Sequence, residues 1–306
     1  MMRTGEDQVV EATDDQHQDF LRGQAKMKQK RETPRLVLGM VCLAAMCQVT
    51  SAQIDQSTGS ALMEHNPRLS DFQVIEFRRY TIKDGQRRNF TQYFDTYFPE
   101  AFQQLGTIVA ASLLERQNPS NFIWIRGFHT FDDRAALNGL FYAGSVWSEH
   151  RKTMNDLIDN ADNVLLLRPL NPERGVTVLP AVDPVTEPNG AQGVVVAQIF
   201  AVKENRVDDF ARQAETTLAS YRAAGAREAG VLVTLDVKNN FPQLPFRTDG
   251  PFLVWLGILK DDQTLQSFIP VADRSLTSLT ATGLLRSAPE LIVLDPTPRS
   301  RLRWLP

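Results

Sequence analysis

From Phe72 to Ile82 apolar and polar positions alternate, the period of two expected of a half-buried strand. Asp84-Gly85 then supplies a turn, and the period lengthens: Phe90, Phe94, Tyr97, Phe98 and Phe102 recur at helical spacing across residues 88–105. Residues 107–116 read as a second strand. Asn118-Pro119 turns the chain into a third strand at 122–128, residues 132–157 read as helical, and 163–167 as a fourth strand. The order is βαββαβ. It then returns, with a strand at 193–202, a helix at 206–223, strands at 226–235 and 252–259, a helix at 261–282 and a last strand at 290–294.

The two runs match in places. Val202-Lys203 answers Ile82-Lys83, and Phe252-Leu253-Val254-Trp255-Leu256-Gly257 answers Phe122-Ile123-Trp124-Ile125-Arg126-Gly127. Between them residues 169–188 carry prolines at 169, 172, 180, 184 and 188, the composition of a linker. The expected layout is residues 1–52 as leader and signal peptide, 53–71 as a polar lead-in, 72–170 as one unit, 171–190 as the linker and 191–298 as a second unit.

A βαββαβ unit makes a four-stranded antiparallel sheet with both helices on one face, the ferredoxin-like arrangement. The other face would be exposed apolar surface, and a second copy packed against it removes that liability. The expected fold class is therefore α+β: two tandem ferredoxin-like units packed as a pseudo-dimeric α/β barrel, an arrangement that single-copy chains reach by dimerising.

Side-chain alternation assigns faces. Ile75 and Phe77 in the first strand, and Ile123 and Ile125 in the third, should lie under the helices. Glu76, Arg78, Tyr80, Trp124 and Arg126 should then face the space between the sheets, where a charge costs several kcal/mol unless paired or solvated. Val196, Gln198, Phe200, Val254 and Leu256 are the matching positions in the second unit. Glu76 paired with Arg78 or Arg126 would be a polar plug. The functional reading is a pocket for an amphipathic, anionic small molecule, held by the arginines and stacked on Trp124, since two arginines exceed one carboxylate.

Tyr142, Trp147, His150 and Arg151 follow within ten residues, and the last three share a helix face. His150 reads as a packed helix-end residue or as a general base or a haem or metal ligand. The loop Asn239-Asn240-Phe241-Pro242-Gln243-Leu244-Pro245 reads first as turn chemistry fixing a long connection; its other reading is a lid over the pocket mouth with Arg247 at its base. No His, Asp and Glu set has metal-ligand spacing, and no glycine-rich phosphate loop or Gly-x-Ser-x-Gly elbow occurs.

Residues 74–80 with Asp84-Gly85, then 122–128, then Phe141-Tyr142-Ala143-Gly144-Ser145-Val146-Trp147 with His150-Arg151, then 162–169, together resemble the NIPSNAP family. The similarity spans one whole unit. In the second half the loop 239–245 before Phe252-Leu253-Val254-Trp255 resembles tandem NIPSNAP proteins, while no counterpart of the Tyr142 to Arg151 motif is present. The resemblance implies the dimeric α/β barrel superfamily, which includes small monooxygenases, haem-degrading proteins and stress-response binding proteins. It implies no particular activity.

The N-terminus reads as an address. Residues 26–35 carry five positive charges against one negative, residues 36–47 are apolar, and Thr50-Ser51-Ala52 precedes Gln53, the expected first mature residue. The apolar run is shorter than the roughly 20 residues of a membrane-spanning helix, so no stable membrane span is expected after cleavage. The polar stretch before it places the expected translation start at Met27. Export to the periplasm or medium would also remove both cysteines, Cys42 and Cys47, and with them disulfide and thiolate chemistry. The net charge of −3 in 306 residues gives no phosphate-neutralising surface, so no nucleic-acid partner is expected.

Three functional readings share this chain: binding of a small amphipathic or anionic ligand, a cofactor-independent or haem-linked monooxygenase with His150 or Tyr80 handling protons, and a structural interaction module. No cofactor is required by the sequence. Assembly into a homo-oligomer is compatible with each.

Overall fold

In the computed structural model, which describes residues 72–305, eight strands close into a barrel in the order β1-β3-β2-β8-β5-β7-β6-β4. The strands are β1 Val74–Ile82, β2 Ile108–Glu115, β3 Asn121–Phe128, β4 Ile158–Pro169, β5 Val194–Ala201, β6 Arg227–Thr234, β7 Phe252–Leu259 and β8 Glu290–Pro296. Around them lie helices α1 Arg87–Tyr97, α2 Pro99–Gln104, α3 Phe131–Ala143, α4 Ser145–Leu157, α5 Val207–Ala223 and α6 Asp262–Ala281. The chain is thus an α+β protein with a closed barrel. The expected signal peptide and lead-in, residues 1–71, lie outside the described residues.

Each half of the barrel is a run of four strands, ordered β4-β1-β3-β2 and β6-β7-β5-β8. Short antiparallel seams join the halves: Leu113 to Glu115 of β2 against Leu294 to Pro296 of β8, and Leu167 to Pro169 of β4 against Leu232 to Thr234 of β6. Ion pairs reinforce the first seam, where Arg79 of β1 reaches Glu115 and Glu290, and Arg116 reaches Asp295 and Asp262.

Closing a sheet forces its inner face to be filled by side chains. Here that filling is apolar: Ile75, Phe77, Ile123 and Ile125 from one half meet Val195, Ile199, Val254 and Leu256 from the other. The proline-rich stretch does more than connect, since Val176 and Val178 are buried in this same cluster.

The face assignment from alternation is therefore inverted. Ile75, Phe77, Ile123 and Ile125 point into the barrel, and Glu76, Arg78, Tyr80, Trp124 and Arg126 point outward beneath the first-half helices. Phe90 and Phe94 of α1, Phe98, Phe102 of α2 and Phe141 of α3 pack with Tyr80 and Trp124 in that layer. Alternation identifies two faces but not which one is dry; this eight-stranded barrel is narrow enough for side chains to fill, so the purely apolar face goes inside.

The second half shows a further shift. Glu76 stands opposite Arg126 and Arg78 opposite Trp124, whereas Val196 stands opposite Gly257 and Gln198 opposite Trp255. Trp255 and Gly257 are thus the counterparts of Trp124 and Arg126. Val254 and Leu256 face the barrel interior, because aligning a strand one residue off flips every side chain.

Candidate functional site

Three elements converge on Glu76. β1 contributes Glu76, Arg78 and Tyr80, its neighbour β3 contributes Trp124 and Arg126, and α3 contributes Arg134. The start of α3 is fixed by a capping box, in which Asp133 N donates to Thr130 Oγ1 at 3.1 Å and Thr130 N donates to Asp133 Oδ2 at 3.0 Å. Arg134 is the next residue. Asn138 lies one turn on and Phe141 nearly two, so all three occupy the buried side of the helix.

Glu76 is fully buried and accepts from three guanidinium groups. Its Oε2 takes bonds from Arg78 Nη1 at 2.8 Å and Arg126 Nε at 2.6 Å, and its Oε1 from Arg134 Nε at 2.7 Å. Side-chain exposures are 2% for Arg78 and 0% for Arg126 and Arg134. One carboxylate against three guanidiniums leaves two positive charges in excess. Burial by itself would raise the Glu76 pKa, but the charges of Arg126, Arg78 and Arg134 outweigh it and hold the carboxyl far below the usual carboxylate range. Burial likewise opposes the Arg78 charge, and Tyr80 and Glu76 more than restore it. For Arg134 burial wins, aided by repulsion from Arg126 and Arg78 against the pull of Glu76, and its pKa is lowered.

The remaining donors are unequally placed. Arg78 Nε donates to the Tyr80 hydroxyl at 2.9 Å. Arg134 Nη1 donates to Asn239 Oδ1 at 3.0 Å and Asn240 Oδ1 at 2.9 Å, and its Nη2 to the Leu244 carbonyl at 3.2 Å. Arg126 differs: its Nη1 and Nη2 are buried and have no hydrogen-bond partner among the described residues. Its guanidinium is flanked by Trp124, Phe128 and Phe102, with ring centroids at 5.0, 5.1 and 5.2 Å. Rings so placed return on the order of 1–2 kcal/mol each when desolvated. An unmade buried bond costs about 1–3 kcal/mol, and more at a charged group. Three rings and two unmade bonds are thus of similar size, so the rings hold the cation in place while both of its terminal donors stay unspent. Asn138, 1% exposed, also leaves both Nδ2 and Oδ1 unpartnered, as does Trp124 at Nε1.

Tyr142, at the end of α3, is electrostatically tied to Arg126, Tyr80 and Arg78; burial pushes its phenol up and the two arginines pull it back. Trp147 meets the Tyr142 ring edge-on at 4.9 Å. His150 is held elsewhere. Its Nδ1 is 2.7 Å from the Tyr93 hydroxyl and its ring stacks on Tyr97 at 3.9 Å, both on α1. This is a helix-to-helix contact and not part of the Glu76 cluster. Arg151, half-buried, is its neighbour on α4.

The structure thus joins Glu76, Arg78, Tyr80, Trp124 and Arg126, with Tyr142 beside them and Trp147 behind. Sequence reasoning missed Arg134 and Asn138; it named the loop of Asn239 and Asn240, as turn chemistry or as a lid, without its partner. The polar pair Arg134 and Asn138, four apart and followed by Phe141, was a legible stripe; the arrival of a second-half loop at Arg134 was not. Two surface cavities lie away from the cluster. One, of about 260 Å³, is lined by Arg247, Phe252 and Arg286, and the other, of about 430 Å³, by Glu100, Ser112 and Arg301.

The second half does not repeat this chemistry at the matching positions; its own carboxylate–arginine group, Glu228 of β6 with Arg174 and Arg222, is partly exposed. Val196, Gln198 and Gly257 stand where Glu76, Arg78 and Arg126 do, and the Trp255 indole takes the space over Gly257.

No family model and no curated protein matches the chain. Solved structures do. An anthrone oxidase-like protein is similar over 75% of this chain and 93% of its own, at 9% identity and a TM-score of 0.48. A NIPSNAP family protein from Agrobacterium tumefaciens is similar over 34% of this chain and 92% of its own, at 21% identity and a TM-score of 0.31. A haem-binding protein from Thermus thermophilus is similar over 76% of this chain and 93% of its own, at 9% identity and a TM-score of 0.41.

Proposed function

We propose that the chain binds a small anionic, amphipathic molecule on the outer face of its first-half sheet, between β1 and β3 and the overlying α3. The carrying observation is the pair of unpartnered terminal nitrogens on fully buried Arg126. A guanidinium presents such a pair as a fork that matches a carboxylate or phosphate. The two excess positive charges around Glu76 favour an anion, and the rings of Trp124, Phe102 and Phe128 suit an apolar body. Unpartnered Asn138 and the Trp124 indole N–H supply further polar contacts for orientation. The site moves from the space between the sheets, where sequence alternation put it, to the layer between sheet and helices.

The same reading takes the two strand runs as tandem ferredoxin-like units, one of which carries Glu76, Arg78 and Arg126 where the other has Val196, Gln198 and Gly257. It also takes the chain as exported, with a mature protein free of cysteine.

Titration calorimetry with benzoate, paired with native mass spectrometry of the purified chain, tests the site. Saturable benzoate binding or a co-purified mass is expected in the wild type, and loss of both in Arg126→Met. Equal binding in the two proteins, or none in either, overturns the reading.

A further inference from the structure

The connection between β6 and β7, residues 235–251, is long and has no regular secondary structure, a length at which loops are usually functional. None of its residues is buried. Yet it lies on a residue that is: Arg134 spends both terminal nitrogens on Asn239, Asn240 and the Leu244 carbonyl, while its Nε stays on Glu76. Outside residues 239–244 the loop is anchored by Leu235, Val237 and Phe246, packed against Val74, Phe128 and Leu166, with the Phe246 ring 5.5 Å from the Arg134 guanidinium; two further contacts hold residues 239–244 to α3. Asn240 Nδ2 donates to the Phe131 carbonyl at 2.6 Å, and the Phe241 ring stacks over Tyr142 with centroids 6.1 Å apart. Within the loop, Asn239 Nδ2 donates to the Leu244 carbonyl and Asn239 Oδ1 accepts from Phe241 N, so residues 239–244 form one self-braced cap.

The geometry points to a gate: we propose that the 239–244 cap, supplied by the second half of the chain, opens and closes the charged site of the first half, with Arg134 as its latch. This rests on the ligand reading and adds its mode of access. The cap meets the first half at α3 through polar groups and one ring pair, contacts that water can replace on opening, because every cap residue is already partly exposed. The groups behind Arg134 cannot be so treated, since Glu76, bonded to its Nε, and Arg126, bonded to Glu76, are fully buried. Opening therefore changes the accessibility of the cluster while leaving the barrel intact. The division of labour also accounts for the unequal halves: the second half lacks the Glu76, Arg78 and Arg126 set but carries the cap.

Arginine labelling by phenylglyoxal, read peptide by peptide in a mass spectrometer, tests the gate without a ligand. In the full chain, Asn239→Ala/Asn240→Ala should raise labelling of Arg134 and Arg126 at least about tenfold relative to exposed Arg212, with the melting temperature little changed. Buried Arg303, held by Glu187 far along the chain, should stay unlabelled. Phe241→Ala, which leaves the Arg134 contacts in place, should give a smaller rise and serves if the double variant does not fold. No rise, or a rise that spreads equally to Arg303, overturns the gate. Benzoate should slow Arg126 labelling in the unlatched variant; if it does not while labelling has risen, the ligand reading fails and the gate stands.

Discussion

Glu76 and Arg126 face each other across the β1–β3 ladder and meet through one 2.6 Å bond, both without solvent exposure. The carboxylate is shared with two other arginines, while the guanidinium keeps two donors unspent. Glu76 is thus the structural pivot of the cluster and Arg126 its open end. The two residues predict opposite consequences when removed.

Removing Glu76 leaves three guanidinium groups buried together with no counter-charge. Losing one partner of a buried pair typically costs about 3–5 kcal/mol, a large share of the 5–15 kcal/mol that holds a typical domain. Glu76→Ala should lower the unfolding free energy measured in urea by that order, and Glu76→Gln, which keeps acceptor capacity, by less. Equal midpoints for wild type and Glu76→Ala would mean that the three arginines find other partners.

Removing Arg126 should cost little. Arg78 and Arg134 still hold Glu76, and the substitution Arg126→Met deletes two unpaired donors and one desolvated cation while keeping the contact with Phe102 and Trp124. Replacing buried charge by apolar volume is often neutral or stabilising. Urea unfolding of Arg126→Met should fall within about 1 kcal/mol of wild type or above it, even as ligand capture is lost. A large destabilisation would assign Arg126 to the framework.

The pH dependence follows from the same carboxylate. The folded pKa of Glu76 is depressed, so below about pH 4.3 the unfolded chain takes up a proton that the folded chain refuses. Its stabilisation is present above that pH and is lost as pH falls, at up to about 1.4 kcal/mol per unit. Asp95 acts in the opposite sense. Burial raises its pKa against the pull of Thr297 and Arg299, so stability declines as pH rises from the unfolded value of about 3.9 to the folded one. Urea midpoints between pH 3 and 7 should show a steep acid limb that is flattened in Glu76→Gln. Asp95→Asn should gain stability at neutral pH relative to wild type.

The order of elements was legible because each segment carries its own period, and β7 runs over the residues read from the sequence. The break between α1 and α2 falls at Phe98-Pro99, where the aromatic spacing alone suggested one continuous helix. What alternation could not supply was which face of β1 lay inside. Charges on a strand suggested a wet interface, whereas here the helix layer answers them with Arg134 and the barrel takes the residues that need no partner. The contact of Asn239 and Asn240 with Arg134 spans 105 and 106 residues of sequence, and no local pattern encodes a contact at that distance.

The signal-peptide reading concerns residues outside those described and is checked separately. The intact mass of protein recovered from the periplasm or medium should correspond to a chain beginning at Gln53, with no cysteine. A mass that retains Cys42 and Cys47 would replace cleavage with anchoring.

Gly257 is where the second half departs from the first, and its backbone records why. A Cβ built there would lie 2.2 Å from the Trp255 ring, a separation that no packed pair adopts. Trp255 is fully buried, stacks on Phe268 with centroids 6.0 Å apart and donates its indole N–H to Glu228 Oε2 at 3.1 Å, so it is not free to swing aside. Arg126, the counterpart of Gly257, instead carries a long side chain past Trp124, whose indole N–H has no such partner. The indole in the second half thus lies over the strand position whose first-half counterpart carries the guanidinium. Gly257→Ala should destabilise the chain by roughly 1–3 kcal/mol through overpacking, and Trp255→Phe, costly alone, should recover part of that loss in the double variant. Additive losses would mean that the two sites do not share one volume, and the exchange of ring for charge between the halves would need another explanation.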